Sequence, residues 1–220
     1  APAGTPLITG NDVDAGDYHD ETLPYAQAGM VAIMYSLDGP APETQLVAPI
    51  AAAYKQFKAA KGGVVNGRNA LEFAVQKLPQ VDPQRIYTAG HSSAATVSLL
   101  VAAHEPRVKA CLAYAPCCDV ELRLKDLAND WQATRAMPGL ANFLRDTSPK
   151  THLGKYQCPV FVFHAKDDSN EPFSTTERFV TAMRQANANI TFGTSDHGDH
   201  YESMIQFGIP QGIAWLKQLP

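Results

Sequence analysis

Arg85-Ile86-Tyr87-Thr88-Ala89-Gly90-His91-Ser92-Ser93-Ala94-Ala95 is the stretch whose reading decides the fold. A β-leaning run, residues 86–89, meets a glycine, then a serine, then small residues, then a helical run from Thr96 to His104. That order predicts strand, tight turn, helix. A serine at such a turn sits on strained backbone, with its hydroxyl lifted above the strand end. Small residues two before (Gly90) and two after (Ala94) let strand and helix pass closely. The pattern is G-x-S-x-G with alanine in the last place, still small enough for the turn to close. Taken alone, the same pentapeptide is an ordinary strand-to-helix turn whose serine caps the helix. Ser93 competes for the nucleophile's place, and the spacing from the strand and from Gly90 favours Ser92.

On either side of this turn, apolar runs alternate with amphipathic ones. Strands are expected at residues 30–35, 85–89, 108–114, 160–164 and 189–192, while residues 1–10 hold either a short strand at 7–9 or mostly loop. The continuous apolar runs at 30–35 and 160–164 mark strands buried on both faces. Helices are expected over residues 23–28, 43–60, 65–78, 96–104 and 173–186, with a closing helix at 211–219. Residues 119–145 read as helices broken at Pro138-Gly139. The alternation predicts one α/β domain over residues 1–220, with a mostly parallel central sheet flanked by helices. In such sheets ligands bind at the C-terminal strand ends.

Composition narrows the function classes. The chain has 220 residues, 45% hydrophobic and 18% charged, as expected of an ordinary soluble globular domain. A net charge of −4 without a basic cluster argues against a nucleic-acid partner. No apolar run approaches the roughly 18 residues of a membrane span. No charged leader with an apolar core opens the chain. It starts at Ala1, which fits a cleaved leader, a shortened chain or a proteolysed product, so cytoplasmic and exported locations both stay open. Cys111, Cys117, Cys118 and Cys158 match neither a disulfide scaffold nor zinc spacing and are expected to be buried thiols. No dinucleotide fingerprint or phosphate loop occurs, so no cofactor is implied. Residues 11–21 have a D-x-D-x-G flavour, but the glutamate a calcium loop needs at its twelfth position is missing. A solvated loop leading into a helix is expected there. Asn189-Ile190-Thr191 is a glycosylation sequon.

Two further strand ends carry chemistry. Asp167-Asp168 follows the run at 160–164, and Asp168, four residues past His164, is placed to orient an imidazole. Asp167 is the near alternative, and a plain acidic turn the bland one. Residues 193–201, after the last strand, hold His197 and His200, either of which has the pKa range of a general base. Asp196, His197, Asp199 and His200 also form a sparse metal-like set, which no further histidine motif completes. The chain order is thus Ser, Asp, His, the order of α/β-hydrolases.

On these residues the chain resembles the α/β-hydrolase superfamily, in its dienelactone hydrolase and prolyl-oligopeptidase-like branch. The carrying residues are Val81-Asp82-Pro83-Gln84-Arg85-Ile86 leading into Gly90-His91-Ser92-Ser93-Ala94, then Ser148-Pro149, then residues 158–168, then Gly198-Asp199-His200. The resemblance puts the acid on Asp168 and the base on His200, with His197 second. In that branch the strand before the acid typically ends His-Gly; here Ala165 replaces the glycine. It also implies strands ahead of the region resembling Pro2-Ala3-Gly4-Thr5, so a fold reduced at its N-terminus and without a large lid is expected.

The resulting expectation is a serine carboxylesterase acting on small to medium acyl esters. Ser92 attacks, His200 moves the proton and Asp168 holds the imidazole. The N–H of Ser93 is the expected first oxyanion donor, with the second from Gly4 or Thr5, or else from Ser36-Leu37. The alternatives are a peptidase or amidase of the same branch and an inert binding protein on the same fold. The expected partner is a small-molecule ester.

Overall fold

Ile86–His91 forms strand β1, which runs into the serine turn and then helix α4, Ser93–His104. The computed structural model describes residues 1–14, 17–41, 46–186 and 188–219. Three more strands follow: β2 (Val108–Tyr114), β3 (Val160–Ala165) and β4 (Ile190–Ser195). All pairs are parallel, in the order β1-β2-β3-β4. Ahead of β1 lie α1 (His19–Gln27), α2 (Val47–Ala59) and α3 (Val64–Lys77). Between β2 and β3 come four short helices, α5 (Val120–Arg123), α6 (Lys125–Asn129), α7 (Trp131–Ala136) and α8 (Leu140–Asp146), then a 3₁₀ turn at Pro149–Lys155. Helix α9 (Phe173–Gln185) joins β3 to β4, and α10 (Ile209–Leu216) closes the chain after a π-turn at Met204–Gly208.

The strand alternation sorts the core into two halves, because successive side chains point to opposite faces. Cys111 and Ala113 of β2 and Val160 and Val162 of β3 join the half built on α4, with Tyr54, Phe57 and Phe179. Leu112, Tyr114, Phe161 and Phe163 face the other way, onto Met204, Ile209 and Leu216. Helix α4 is buried from Ser93 to Ala103, which explains why its sequence shows no polar face. All four cysteines are free and buried. Burial pushes the Cys117 thiol up to about 12 and that of Cys158 up to about 11.

Four of the expected strands form. The apolar run at residues 30–35 does not: it pairs with no strand among the described residues, and Val31 and Ile33 are 49% and 36% exposed. A strand needs a neighbouring edge at about 4.8 Å, and a cavity separates this run from the free edge of β1. Residues 7–9 likewise form no strand; the nearest pairing is an isolated bridge between Gly10 and Pro40. Helix α1 starts a turn earlier than expected, at His19. Residues 43–45 of the expected second helix, and Ala15 and Gly16 of the acidic loop, lie outside the described residues. Among the described residues no helix is long and apolar enough to cross a membrane.

Candidate active site

Ser92 sits between β1 and α4 at φ 55°, ψ −125°, a left-handed conformation that a non-glycine residue adopts only when its surroundings hold it there. What holds it is visible. The Ser92 N–H donates to Tyr114 O at 2.9 Å, and its carbonyl accepts from the N–H groups of Ala95 and Thr96. Gly90 is required by contact: a Cβ there would stand 2.4 Å from Ala94 O. Ser93 is the first residue of α4, so its N–H has no acceptor within the helix. The helix start adds a positive dipole end at the turn.

Asp168 lies beyond the end of β3 with a fully buried side chain. Its Oδ1 accepts from the N–H groups of Asn170 (2.9 Å) and Glu171 (2.8 Å). Its Oδ2 lies 2.8 Å from His200 Nδ1 and 2.9 Å from His164 Nε2. Burial alone raises a carboxyl pKa. Here the bonds from His164, His200 and the Glu171 N–H outweigh it and hold Asp168 well below the usual carboxylate range. An ionised Asp168 requires the proton of His200 on Nδ1, so Nε2 carries the lone pair. His200 Nε2 is buried and has no hydrogen-bond partner among the described residues. Ser92 Oγ and His200 Nε2 therefore make no direct hydrogen bond in this conformation.

His200 is held at the serine turn by the residue preceding the serine. His91 Nε2 donates to His200 O at 2.9 Å, and the two rings lie 4.6 Å apart. Burial, then the neighbouring His200, pushes the His91 pKa down to about 4, so the ring is neutral at neutral pH.

The alternatives considered on sequence take other places. Asp167 accepts from the N–H groups of Gly198 (3.2 Å) and Asp199 (3.0 Å), so it anchors the histidine loop rather than the imidazole. Asp199 returns the clamp, accepting from Ser169 N–H at 2.7 Å and Ser169 Oγ–H at 3.0 Å. His197 is exposed, while Asp196 pairs with Lys166. No cluster of three metal-type side chains forms among the described residues. The Gly4-Thr5 loop does reach the serine turn, but the Thr5 N–H donates to Ser93 Oγ at 3.0 Å. That bond withdraws Thr5 as an oxyanion donor and leaves Gly4, exposed at φ 71°, next to it. The Leu37 N–H is likewise taken, by Asn11 O.

Sequence reading passed over one participant. His164 ends the apolar run of β3, fully buried. Its Nε2 faces two acceptors, Asp168 Oδ2 and Glu171 O, and so carries the hydrogen; Nδ1 meets Thr176 Oγ1 at 2.8 Å. The signal was its i, i+4 spacing from Asp168, combined with a titratable group at the end of a both-faces-buried strand.

A serine on this kind of turn, in a parallel sheet of this order, is the arrangement of the α/β-hydrolases, the superfamily of serine hydrolases to which this chain belongs. Within it the chain belongs to the prolyl oligopeptidase family, whose pattern residues 59–217 match. Solved structures agree on the fold. The Pyrococcus horikoshii acylaminoacyl peptidase superposes at TM-score 0.57 with 16% identity, over 73% of this chain and 27% of that one. Dipeptidyl peptidase 4 of Porphyromonas gingivalis gives 0.57 and 21%, over 71% and 23%. The Pyrococcus furiosus esterase gives 0.55 and 16%, over 74% and 64%. This chain thus spans about a quarter of the two peptidases and under two thirds of the esterase. No curated protein matches it significantly in sequence.

Proposed function

We propose that this protein hydrolyses carboxylic esters of small to medium acyl chains through Ser92, His200 and Asp168. One observation supports the reading: a buried His200 Nε2 without a hydrogen-bond partner among the described residues, on a ring whose other nitrogen is held by an ionised Asp168. That is a general base awaiting a proton. In the reaction Ser92 Oγ attacks the ester carbonyl while its proton passes to His200 Nε2. The imidazolium is stabilised by Asp168 and returns the proton to the departing alkoxide, leaving an acyl-enzyme. Water, activated by the same nitrogen, then releases the acid. The N–H groups of Ser93 and Gly4 receive the oxyanion. The two nitrogens of His200 thus do different work, and Asp168 keeps them in the tautomer that leaves Nε2 free.

Ester specificity is supported by the segment between β2 and β3. Its short helices α5–α8 pack as a crossover, with Leu140, Phe143 and Leu144 buried in the core, and leave no separate lid. A second reading, cleavage of peptide or amide bonds, is supported by the family's name and by its peptidase relatives. The test is hydrolysis of p-nitrophenyl butyrate and of acetyl-amino-acid p-nitroanilides by wild type and Ser92→Ala. We expect butyrate turnover that falls roughly 10⁴-fold or more in the variant. Faster anilide than ester turnover would replace the ester reading with the peptidase one. A folded protein inert to both substrates would leave the inert binding fold.

A further inference from the structure

The far end of α4 carries a second pair of imidazoles. The helix begins at Ser93, in the serine turn, and ends at His104, about 16 Å away along its axis. There the His104 ring lies edge-to-face with the ring of His152, centre to centre at 4.6 Å. His152 belongs to the 3₁₀ turn at Pro149–Lys155 and leaves the helical conformation at φ −117°. The pair thus joins the C-terminal end of α4 to the last part of the crossover between β2 and β3.

Each ring has its hydrogen fixed. His104 Nδ1–H donates to Leu100 O at 2.9 Å, and His152 Nε2–H donates to Asp146 O at 2.8 Å. A carbonyl only accepts, so in the neutral rings the other nitrogen keeps its lone pair. Burial, the chief influence on His104, lowers its pKa and so favours that neutral form. The lone pair of His104 Nε2 receives the Lys155 ammonium at 3.2 Å. That of His152 Nδ1 is buried, on a residue only 8% exposed, and has no hydrogen-bond partner among the described residues.

One nitrogen held by a backbone carbonyl and the other offered as a lone pair is the arrangement of histidines that ligate metals. The spacing agrees. An imidazole nitrogen sits about 2 Å from such an ion, which puts each ring centre roughly 3.2 Å away. Two rings at a right angle about the ion are then about 4.5 Å apart, and two at the tetrahedral angle about 5.2 Å. The observed 4.6 Å fits the right angle, the geometry of tetragonal ions. Two cationic side chains lie close by. Arg68 donates to His104 O and is paired with Glu105. Lys155 is exposed, so its ammonium can leave for water.

We propose that His104 and His152 form a binding site for a divalent cation of tetragonal preference, Ni²⁺ or Cu²⁺, with water in its remaining positions. The ion takes the place that the Lys155 ammonium holds on His104 Nε2 and supplies the partner that His152 Nδ1 lacks. Bound there, it ties the end of α4 to the turn at Pro149–Lys155. The inference stands apart from the catalytic reading, since neither Ser92 nor His200 contributes to the site.

The experiment titrates Ni²⁺ alone into the full chain by calorimetry and follows thermal unfolding at each concentration. We expect one ion per chain and a Tm that rises with free Ni²⁺; no binding would overturn the site. His152→Gln should weaken binding by about tenfold or more, and an unchanged affinity would overturn the site. Lys155→Met should tighten binding by about fivefold, because no ammonium then competes for the His104 lone pair. An unchanged or weaker affinity in that variant would also overturn the site. It removes only an exposed charge, so it decides the matter even if His152→Gln fails to fold. His91 and His200, whose rings are likewise 4.6 Å apart, are the competing pair. Binding lost in His200→Gln and kept in His152→Gln would move the ion there and overturn the assignment.

Discussion

The ends of β3 and β4 and the outer edge of β1 belong to one sheet and could hardly differ more. At the first, two loops from different strands are stitched together by Asp167, Asp168 and Asp199, each accepting at least two hydrogen bonds. At the second, residues 31–35 of an apolar run face an open strand edge and make no backbone-to-backbone hydrogen bond among the described residues. The difference teaches that the Asp168–His200 pair is positioned by its own loops, without help from the open side of the sheet. Chemistry and sheet closure are separable properties of this chain.

The most severe way to break the stitched side is Asp168→Asn. The amide cannot hold His200 in the tautomer with a free Nε2, and kcat should fall about 10⁴-fold with the fold intact by circular dichroism. Acid acts more gently, through His91. Its folded pKa of about 4 lies below the unfolded value near 6.5, so the unfolded state binds the extra proton. Stability is full above pH 6.5, falls as pH drops toward 4, and the difference amounts to about 3 kcal/mol. Burial is the chief cause, followed by the neighbouring His200; His164 adds a little, while the Asp168 charge works the other way. In urea titrations at pH 4.5 and 7, His91→Phe should lack this share of the acid loss; identical slopes for both proteins would contradict the assignment.

His164→Leu should cost less. Asp168 keeps three of its four donors, but one side of the carboxylate is released, and a small displacement of a catalytic group costs on the order of 10²-fold in rate. We expect the loss in kcat with KM little changed; a loss confined to thermal stability would make His164 a packing residue only. The smallest effect compares the two regions directly. Val162→Ala, in fully buried β3, should destabilise by about 1–2 kcal/mol. Ile33→Ala, on the half-open wall, should cost only about 0.5 kcal/mol or less. Equal costs would mean that residues 30–35 are packed as tightly as a paired strand.

Much of this was legible in the chain because the signals are local. Gly90 and Ala94 flank Ser92 for a steric reason that a few ångströms of backbone fully determine. The apolar runs of β2 and β3 reveal burial on both faces, since residues pointing either way must be apolar. The same signal misled at residues 30–35. Their composition shows that they are suited to the inside of a sheet, but pairing depends on a second edge that no local pattern contains. The place of Thr5 was hidden for a related reason, since the acceptor of its N–H lies 88 residues away on Ser93. Asp167 read as the alternative acid and Asp199 as part of a metal-like set because an aspartate bonded to a neighbouring loop and one free to act have the same sequence.

The four thiols have a practical meaning. Cys111 lies on β2, Cys117 and Cys118 just beyond it, and Cys158 beside β3, all sealed from solvent and all with burial raising their pKa. A thiol that is neither exposed nor ionised does not react with an alkylating reagent until its surroundings open. The central strands therefore carry built-in timekeepers, and the pace at which iodoacetamide consumes each sulfur is a readout of how often that part of the interior comes apart.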